Sequence, residues 1–128
     1  MVEGEKWIVH PTPVKEAVAR AMAAPEGPVI LADIADSGAG GTSGDGTAIL
    51  RELLNAGAKR VAISTISDQE VIDQAIAAGV GSTITAKVGG KRDKFHGEPV
   101  EVTGKVRLIH EGSFRRRGPQ SPGIIQTI

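Results

Sequence analysis

The sequence predicts an α/β fold: a βαβαβ parallel core followed by an antiparallel strand pair, with helices packed on the sheet. Two short apolar runs rich in β-branched residues, VILADI from Val29 and VAISTI from Val61, are typical of strands buried on both faces. Each run precedes a segment with helical periodicity. Two later segments, STITAKV from Ser82 and the stretch 100–108, alternate apolar and polar residues, which is typical of antiparallel strands.

Three helices are predicted around these strands. The first is TPVKEAVARAM, in which proline at the first helical position has no N–H to leave unpaired. The second carries an apolar stripe over 49–54 and ends at Gly57. The third carries a stripe over 71–76 and ends at Gly79. Glycine is the usual residue after a helix because it adopts the left-handed conformation without strain.

Length and composition restrict the class of protein. The 128 residues suit one domain, 1–128, whose segment 112–128 we expect to be flexible or incomplete. Fifteen basic residues balance fifteen acidic ones, so no global field favours nucleic acid or an anionic membrane surface. No apolar run reaches the ~18 residues of a membrane helix. Without cysteines or a signal peptide, a cytoplasmic location is the expectation.

The stretch ADSGAGGTSGDGT, residues 35–47, is the candidate functional segment, called here the glycine loop. It is longer than the ~2–6 residues usual between a strand and a helix. Right-handed crossovers would place it at the carboxyl end of its strand, where open α/β sheets bind ligands. We expect its backbone N–H groups and carboxylates to contact substrate. The candidate substrate-binding residues are Asp36, Ser37, Gly40, Gly41, Gly44, Asp45, Gly46 and Thr47.

Other interpretations of the glycine loop stay open. Its glycines also suit a plain connection in which Asp45 caps the following helix. It is not a P-loop, because the required lysine is missing, and Ser43 interrupts a GxGxxG pattern. No catalytic residue and no metal ligand is assigned. The histidines, His10, His96 and His110, are not spaced like a ligand pair.

Several of these residues resemble the carboxyl-terminal domain of the MlrC family, proteins named for microcystin degradation and classed as zinc-dependent metallopeptidases. The resemblance covers roughly residues 11–110. Its most specific part is Asp33, Ala35-Asp36, Gly40-Gly41 and Gly44–Thr47, and the segments AAGVGS and VGGK also match. Where the family commonly shows Asp-Asn-Pro-Gly-Gly-Gly, this chain has Asp-Ser-Gly-Ala-Gly-Gly over 36–41.

The resemblance implies an accessory, substrate-binding domain of a zinc-dependent amide or peptide hydrolase. In that family, zinc and its ligands belong to a larger amino-terminal domain. We therefore expect no cofactor in this chain, no activity of the chain alone, and a metal-bearing domain or separate subunit as partner. The substrate would be a peptide or amide small molecule. Whether the chain is itself an enzyme stays open.

Two further functions stay open beside this one. The chain would also suit a non-catalytic small-molecule or phosphate-binding module. It would equally suit a structural or oligomerisation domain, whose antiparallel strands and apolar GIIQTI segment join copies by strand addition.

Overall fold

The computed structural model describes residues 9–119 and 121–127, and the chain divides into two compact units. Unit 1 is built from the residues up to Asp68 together with Lys87–Val102. Unit 2 is built from Gln69–Ala86 and from the residues after Val102. Helices and strands both occur, so the predicted mixed α/β class is confirmed.

The described elements are three α-helices, a single 3-10 turn and four strands. The helices are α1 (Val14–Ala23), α2 (Ala48–Asn55) and α3 (Gln69–Ala78), with the 3-10 turn at Gly38–Gly40. The strands are β1 (Thr83–Val88), β2 (Val100–Lys105), β3 (Ser113–Arg115) and β4 (Ile125–Thr127).

All three predicted helices are present, and α1 packs against α2 within unit 1. Val18 of α1 is 1% exposed and is the largest fully buried apolar side chain among the residues described. Helix α2 ends at Asn55, and the predicted terminating glycine, Gly57, follows with a φ of +64°. The Ala58 N–H donates to Leu53 O and the Gly57 N–H donates to Leu54 O, which together form a Schellman motif.

Strands β1 and β2 form the predicted antiparallel pair. The Val106 N–H donates to Ser82 O, and the hydroxyls of Thr85 and Thr103 lie 2.8 Å apart. Partner numbers therefore fall along one strand as they rise along the other, which defines an antiparallel ladder. In unit 2, Ala86 is buried at the face of this pair.

The parallel βαβαβ core is not confirmed. Among residues 9–119 and 121–127, the strands form two sheets of two strands each, and neither segment 29–34 nor segment 61–66 is a strand. Most of their apolar side chains are exposed, and Ile30 reaches 86%. A parallel strand is normally covered on both faces by other elements. These two segments have the composition of such strands, but no helix or strand covers most of their described side chains.

Segment 112–128, for which we expected flexibility, contains β3 and β4. They pair antiparallel, with Ser113 opposite Thr127 and Arg115 opposite Ile125. Residues 120 and 128 lie outside the described part, and the mobility of the segment stays a prediction. Across the described residues, no helix has the length and apolar character needed to cross a membrane.

Candidate functional site

Asp36 folds the glycine loop back on itself. One oxygen of its carboxylate accepts the Gly44 N–H at 2.8 Å, and the other accepts the Gly46 N–H at 2.5 Å. A Cβ atom at position 46 would lie 2.9 Å from Asp36 Oδ2, so any other residue there would displace the carboxylate. Two backbone donors of the loop are thus bound to the loop's own carboxylate.

Asp45 lies in a ring of backbone donors and is only 2% exposed. Its Oδ2 accepts the Lys91 N–H at 2.8 Å and the Arg92 N–H at 3.1 Å, while its carbonyl accepts the Gly90 N–H at 2.7 Å. Gly89 and Gly90 both have φ of +59°, which turns successive N–H groups inward. Such a nest is a binding site for anions, and here the anion is Asp45.

Asp68 holds the same turn from a second side and is also buried. It accepts the Gly89 N–H at 2.8 Å and forms an ion pair with Lys91 Nζ at 3.0 Å. The adjacent Ser67 N–H donates to Gly44 O at 2.7 Å. The end of segment 61–66 is therefore attached both to the glycine loop and to the turn 89–92.

Thr47 fixes the end of the glycine loop, and its side chain is completely buried. Its N–H donates to His96 O at 2.9 Å and its hydroxyl donates to Glu98 O at 2.7 Å. A Cβ at position 97 would overlap the Thr47 hydroxyl. Thr47 precedes α2 but makes no side-chain cap there, and Asp45 does not cap α2 either, because its carboxylate is in the nest.

The other half of the loop, residues 37–42, is called the rim. The described side chains and glycines of the rim are exposed. The Gly40 N–H donates to Ser37 O and the Gly41 N–H donates to Gly38 O, which forms the 3-10 turn. Within the described part of the chain, the N–H groups of Ser37, Gly38 and Thr42 have no acceptor. The rim therefore presents backbone donors outward.

His96 connects the loop 92–96, called the tip, to the residue that precedes Asp36. Its Nδ1 lies 2.7 Å from Asp93 Oδ2, and its Nε2 lies 3.2 Å from Ala35 O. Both neighbours are acceptors, so the doubly protonated ring satisfies both. The hydrogen bond to Asp93 raises the pKa of His96 against the opposing effect of burial, and the negative charges of Asp93 and Asp36 raise it further.

The carboxyl groups of the site favour their ionised forms. Burial raises the pKa of Asp36, but hydrogen bonds from the Gly44 N–H, the Thr42 hydroxyl and the Gly46 N–H outweigh it and lower the pKa. Burial likewise raises the pKa of Asp45, and the Ser43 hydroxyl and the two nest N–H groups reverse that effect. The site is thus built around fixed internal anions.

The structure divides the eight predicted site residues into two groups. Ser37, Gly40 and Gly41 are exposed on the rim, while the remaining five form the internal hydrogen-bonded base: Asp36, Gly44, Asp45, Gly46 and Thr47. Substrate contact by any of them stays a prediction. Three residues of the site were not predicted from the sequence: Asp68, Asp93 and His96. The paired glycines of VGGK were the available signal for the turn that binds Asp45.

No group of three or more histidine, aspartate or glutamate side chains suited to a metal ion occurs among the described residues. The assignment of zinc to another domain stays a prediction. A surface pocket of about 490 Å³ is lined by Phe114, Arg116, Arg117, Gly118 and Pro119. Its lining comes from one short stretch and includes no residue of the glycine loop.

Comparison with known proteins identifies the family to which this chain belongs. The family model described as MlrC C-terminus matches residues 31–127, which contain the glycine loop, the nest and the tip. The chain therefore belongs to the MlrC family and matches its carboxyl-terminal domain. It is 37% identical over 91 residues to Microcystinase C of Sphingomonas sp.. The match covers 71% of this chain and 18% of that relative.

The nest predicts a specific intolerance at Gly89. Gly57 and Gly89 both have positive φ, but a Cβ at 57 meets open space whereas one at 89 overlaps Asp45 O and lies 2.7 Å from Thr47 Cγ2. We expect Gly57→Ala to lower the free energy of unfolding by ~1 kcal/mol through strain alone. Gly89→Ala should lower it by ~3 kcal/mol through strain and overpacking. Urea unfolding measures both, and equal losses would contradict the nest.

Replacing the buried carboxylate in the nest tests its contribution directly. Asp45→Asn keeps the shape but places an amide, with no charge, against two backbone donors. We expect the free energy of unfolding to fall by ~1–3 kcal/mol. Asp73→Asn is the matched control, because Asp73 is exposed on α3 and accepts a hydrogen bond from the Gln69 side chain. Urea unfolding measures both variants. If Asp73→Asn lowered the free energy of unfolding as much as Asp45→Asn, the nest would have no special role.

Stability should depend on the proton of His96. Its folded pKa lies above the ordinary 6.5, so the folded chain binds the proton more tightly. The resulting stabilisation is complete below pH 6.5 and is lost as pH rises through the higher folded pKa. Unfolding measured from pH 5 to 9 should show this decline, and His96→Gln should remove it. His10→Gln is the control that should keep it. A decline unaffected by His96→Gln would refute the assignment.

Proposed function

We propose that this chain is the substrate-binding domain of an amide hydrolase of the MlrC family. The rim contacts the substrate, and the chemistry of amide cleavage comes from a metal-bearing domain or subunit. The proposal assigns no catalytic residue to this chain. Its substrate is a peptide or amide small molecule.

One observation supports this role above the others: the base of the glycine loop satisfies its donors internally, whereas the rim does not. The N–H groups of Gly44, Gly46 and Thr47 are bound within unit 1, and those of Ser37, Gly38 and Thr42 have no acceptor among the described residues. Outward N–H groups on residues without bulky side chains suit a substrate carbonyl or carboxylate oxygen. Asp36 and the nest hold the base, so the rim is positioned before substrate arrives.

Exposed apolar side chains support the need for a partner. Four apolar residues are buried among the described ones, Val18, Ala86, Val100 and Val106, whereas seventeen large apolar residues are exposed. Isolated exposed apolar residues are common. Few buried apolar residues together with many exposed ones are typical of a surface that another domain covers. The metal-bearing domain is the partner we assign, and a second copy of the chain is the alternative.

The same partner would complete the predicted parallel sheet. Segments 29–34 and 61–66 have strand composition and exposed side chains such as Ile30, Val61 and Ile63. We infer that they join a parallel sheet once the partner covers them. Slower hydrogen exchange at the amides of both segments in the assembled protein, compared with the chain alone, is the expected sign.

The match to Microcystinase C supports a division of labour. This chain spans 18% of that protein's length, so the activity in its name belongs to a much longer polypeptide. We infer that the longer protein supplies the metal and the reacting water. A phosphate-binding module is the second candidate, because the same outward N–H groups of the rim suit a phosphate oxygen.

Reconstitution tests the proposed function. The chain would be fused to, or mixed with, the metal-bearing amino-terminal part of Microcystinase C, and release of free amine from a set of short peptide amides would be followed. We expect no hydrolysis by the chain alone and hydrolysis by the combination. Gly38→Val and Gly40→Val place a side chain on the rim without a left-handed φ and should lower kcat/KM at least ~10-fold.

The matched control is Gly118→Val, an exposed glycine of unit 2 with nothing within 4 Å of its added Cβ. It should leave kcat/KM and the melting temperature unchanged. Turnover by the isolated chain, or rim variants that retain full kcat/KM, would overturn the proposal. Tight binding of inorganic phosphate by the chain, lost in Gly40→Val, together with an inactive combination, would favour the phosphate-binding module.

A further inference from the structure

The ring of His96 lies between two oxygen acceptors that belong to different parts of unit 1. Its Nδ1 is 2.7 Å from Asp93 Oδ2 in the tip, and its Nε2 is 3.2 Å from the carbonyl oxygen of Ala35, 61 residues earlier. An imidazole with two protons donates to both oxygens, whereas a neutral imidazole has one proton for two acceptors. The contact between the tip and the start of the glycine loop therefore depends on the protonation of one ring.

The contact with Ala35 is the one that a neutral ring loses. The hydrogen bonds from the His96 ring and the Phe95 N–H lower the pKa of Asp93, so this carboxyl group is ionised. A hydrogen bond to a carboxylate is stronger than one to a neutral carbonyl, and the remaining proton therefore stays on Nδ1. Nε2 then presents a lone pair to the oxygen of Ala35, and two acceptors repel each other.

The same contact attaches the start of the rim to the tip. The Ala35 N–H donates to Asp33 Oδ1 at 2.9 Å, which forms a local turn but does not determine where that turn lies in unit 1. The His96 ring does determine it, because the carbonyl of His96 accepts the Thr47 N–H at 2.9 Å and so holds the tip in place. The rim begins at Ser37, two residues after Ala35. The position of its first outward N–H groups therefore depends on the ring.

The charges around the ring favour its doubly protonated form. The hydrogen bond to Asp93 raises the pKa of His96 most, and the negative charges of Asp93 on the tip and Asp36 on the glycine loop raise it further. From the direction of α2, the cationic side chain of Arg51 is bound elsewhere, since it donates to Glu98 O at 3.0 Å. The ring therefore keeps its second proton to a higher pH than an ordinary histidine does.

We propose that His96 is a proton-operated latch that holds the rim in its binding arrangement. With two protons the ring joins Asp93 to Ala35, and the outward N–H groups of the rim are fixed. Loss of the proton on Nε2 releases Ala35, and the rim becomes mobile while Asp36 and the nest still hold the base of the loop. A fixed rim loses less conformational entropy on binding and so binds an amide more tightly. That the latch regulates substrate binding rests on the proposed function, whereas the latch itself does not.

The test is a titration of the whole chain from pH 5.5 to 9, followed by NMR. The ring nitrogens of His96 give its midpoint. We expect the amide signals of residues 35–38 to change with the same midpoint, and their ¹⁵N relaxation to show more motion above it. The amides of Gly89 and Gly90 in the nest are the internal reference and should not change.

A neutral probe, acetyl-alanine-amide, reports the effect of the latch on binding. Its affinity should fall at least ~3-fold as pH rises through the midpoint, because the released rim must be ordered again on binding. By linkage, a 3-fold preference for the protonated chain requires that saturating probe raise the midpoint of His96 by about half a pH unit.

Variants distinguish the latch from a merely structural contact. His96→Gln has no titrating ring, so the pH-dependent change at residues 35–38 should vanish. Asp93→Asn keeps an oxygen for the turn of the tip but removes the charge, so the midpoint should move to lower pH and the rim should follow it. Asp33→Asn is the matched control, because Asp33 also accepts a backbone N–H two residues ahead but does not contact the ring. It should leave the midpoint unchanged.

The outcomes separate this inference from the proposed function. Rim amides that stay constant while the ring titrates, or that change equally in His96→Gln, would overturn it. Equal affinity for the probe above and below the midpoint would do the same. If the rim follows the ring but the reconstituted protein hydrolyses no amide, the latch stands and the proposed function fails. If hydrolysis occurs and the pH dependence of KM is identical in the parent protein and in His96→Gln, this inference fails.

Discussion

The buried carboxylate of Asp45 is the interaction on which the candidate site depends. An ionised side chain that is 2% exposed is stable only when hydrogen bonds replace its water, and the Lys91 and Arg92 N–H groups do this. Those donors converge because Gly89 and Gly90 both adopt left-handed backbone conformations. Every other part of the site follows from this attachment: the base of the loop is fixed, the turn is closed, and the rim and tip extend from them.

This arrangement changes how the glycine loop is understood. A loop of many glycines and two aspartates suggests a site whose donors and carboxylates await a ligand. In the structure, Asp36 and Asp45 already occupy the donors of the base, so they act as permanent internal ligands. Under the proposed function, the groups left to contact a substrate are the outward N–H groups of the rim. Because these two carboxylates hold the base of the loop in place, the rim that is attached to the base has a defined shape.

The sequence predicts local features well and distant partners poorly. Helix periodicity and the terminal glycines Gly57 and Gly79 correctly predict α2 and α3, since both signals lie within a few residues of their effect. Alternation likewise predicts β1 and β2. The parallel core is not confirmed. Apolar composition indicates that a segment can form a strand, but it does not indicate which other element packs on that strand. Asp45 was predicted to be a ligand contact or a helix cap, and no local pattern shows that its partners lie 46 residues further on. The role of His96 is equally hard to predict, since one of its hydrogen-bond partners is the distant carbonyl of Ala35.

The contacts of Asp45, Thr47 and His96 join residues separated by 46, 51 and 61 positions. Helices α1 and α2 form by hydrogen bonds between residues three or four positions apart. The contacts of Asp45, Thr47 and His96 instead require a long loop of chain to close first, which costs conformational entropy. During synthesis on the ribosome, the hydrogen bond from the Thr47 hydroxyl cannot form until Glu98 has emerged, even though the glycine loop is made about fifty residues earlier. Until Lys91 and Arg92 have emerged, Asp45 lacks the donors of its nest. The base of the glycine loop is therefore one of the last parts of unit 1 to take its shape.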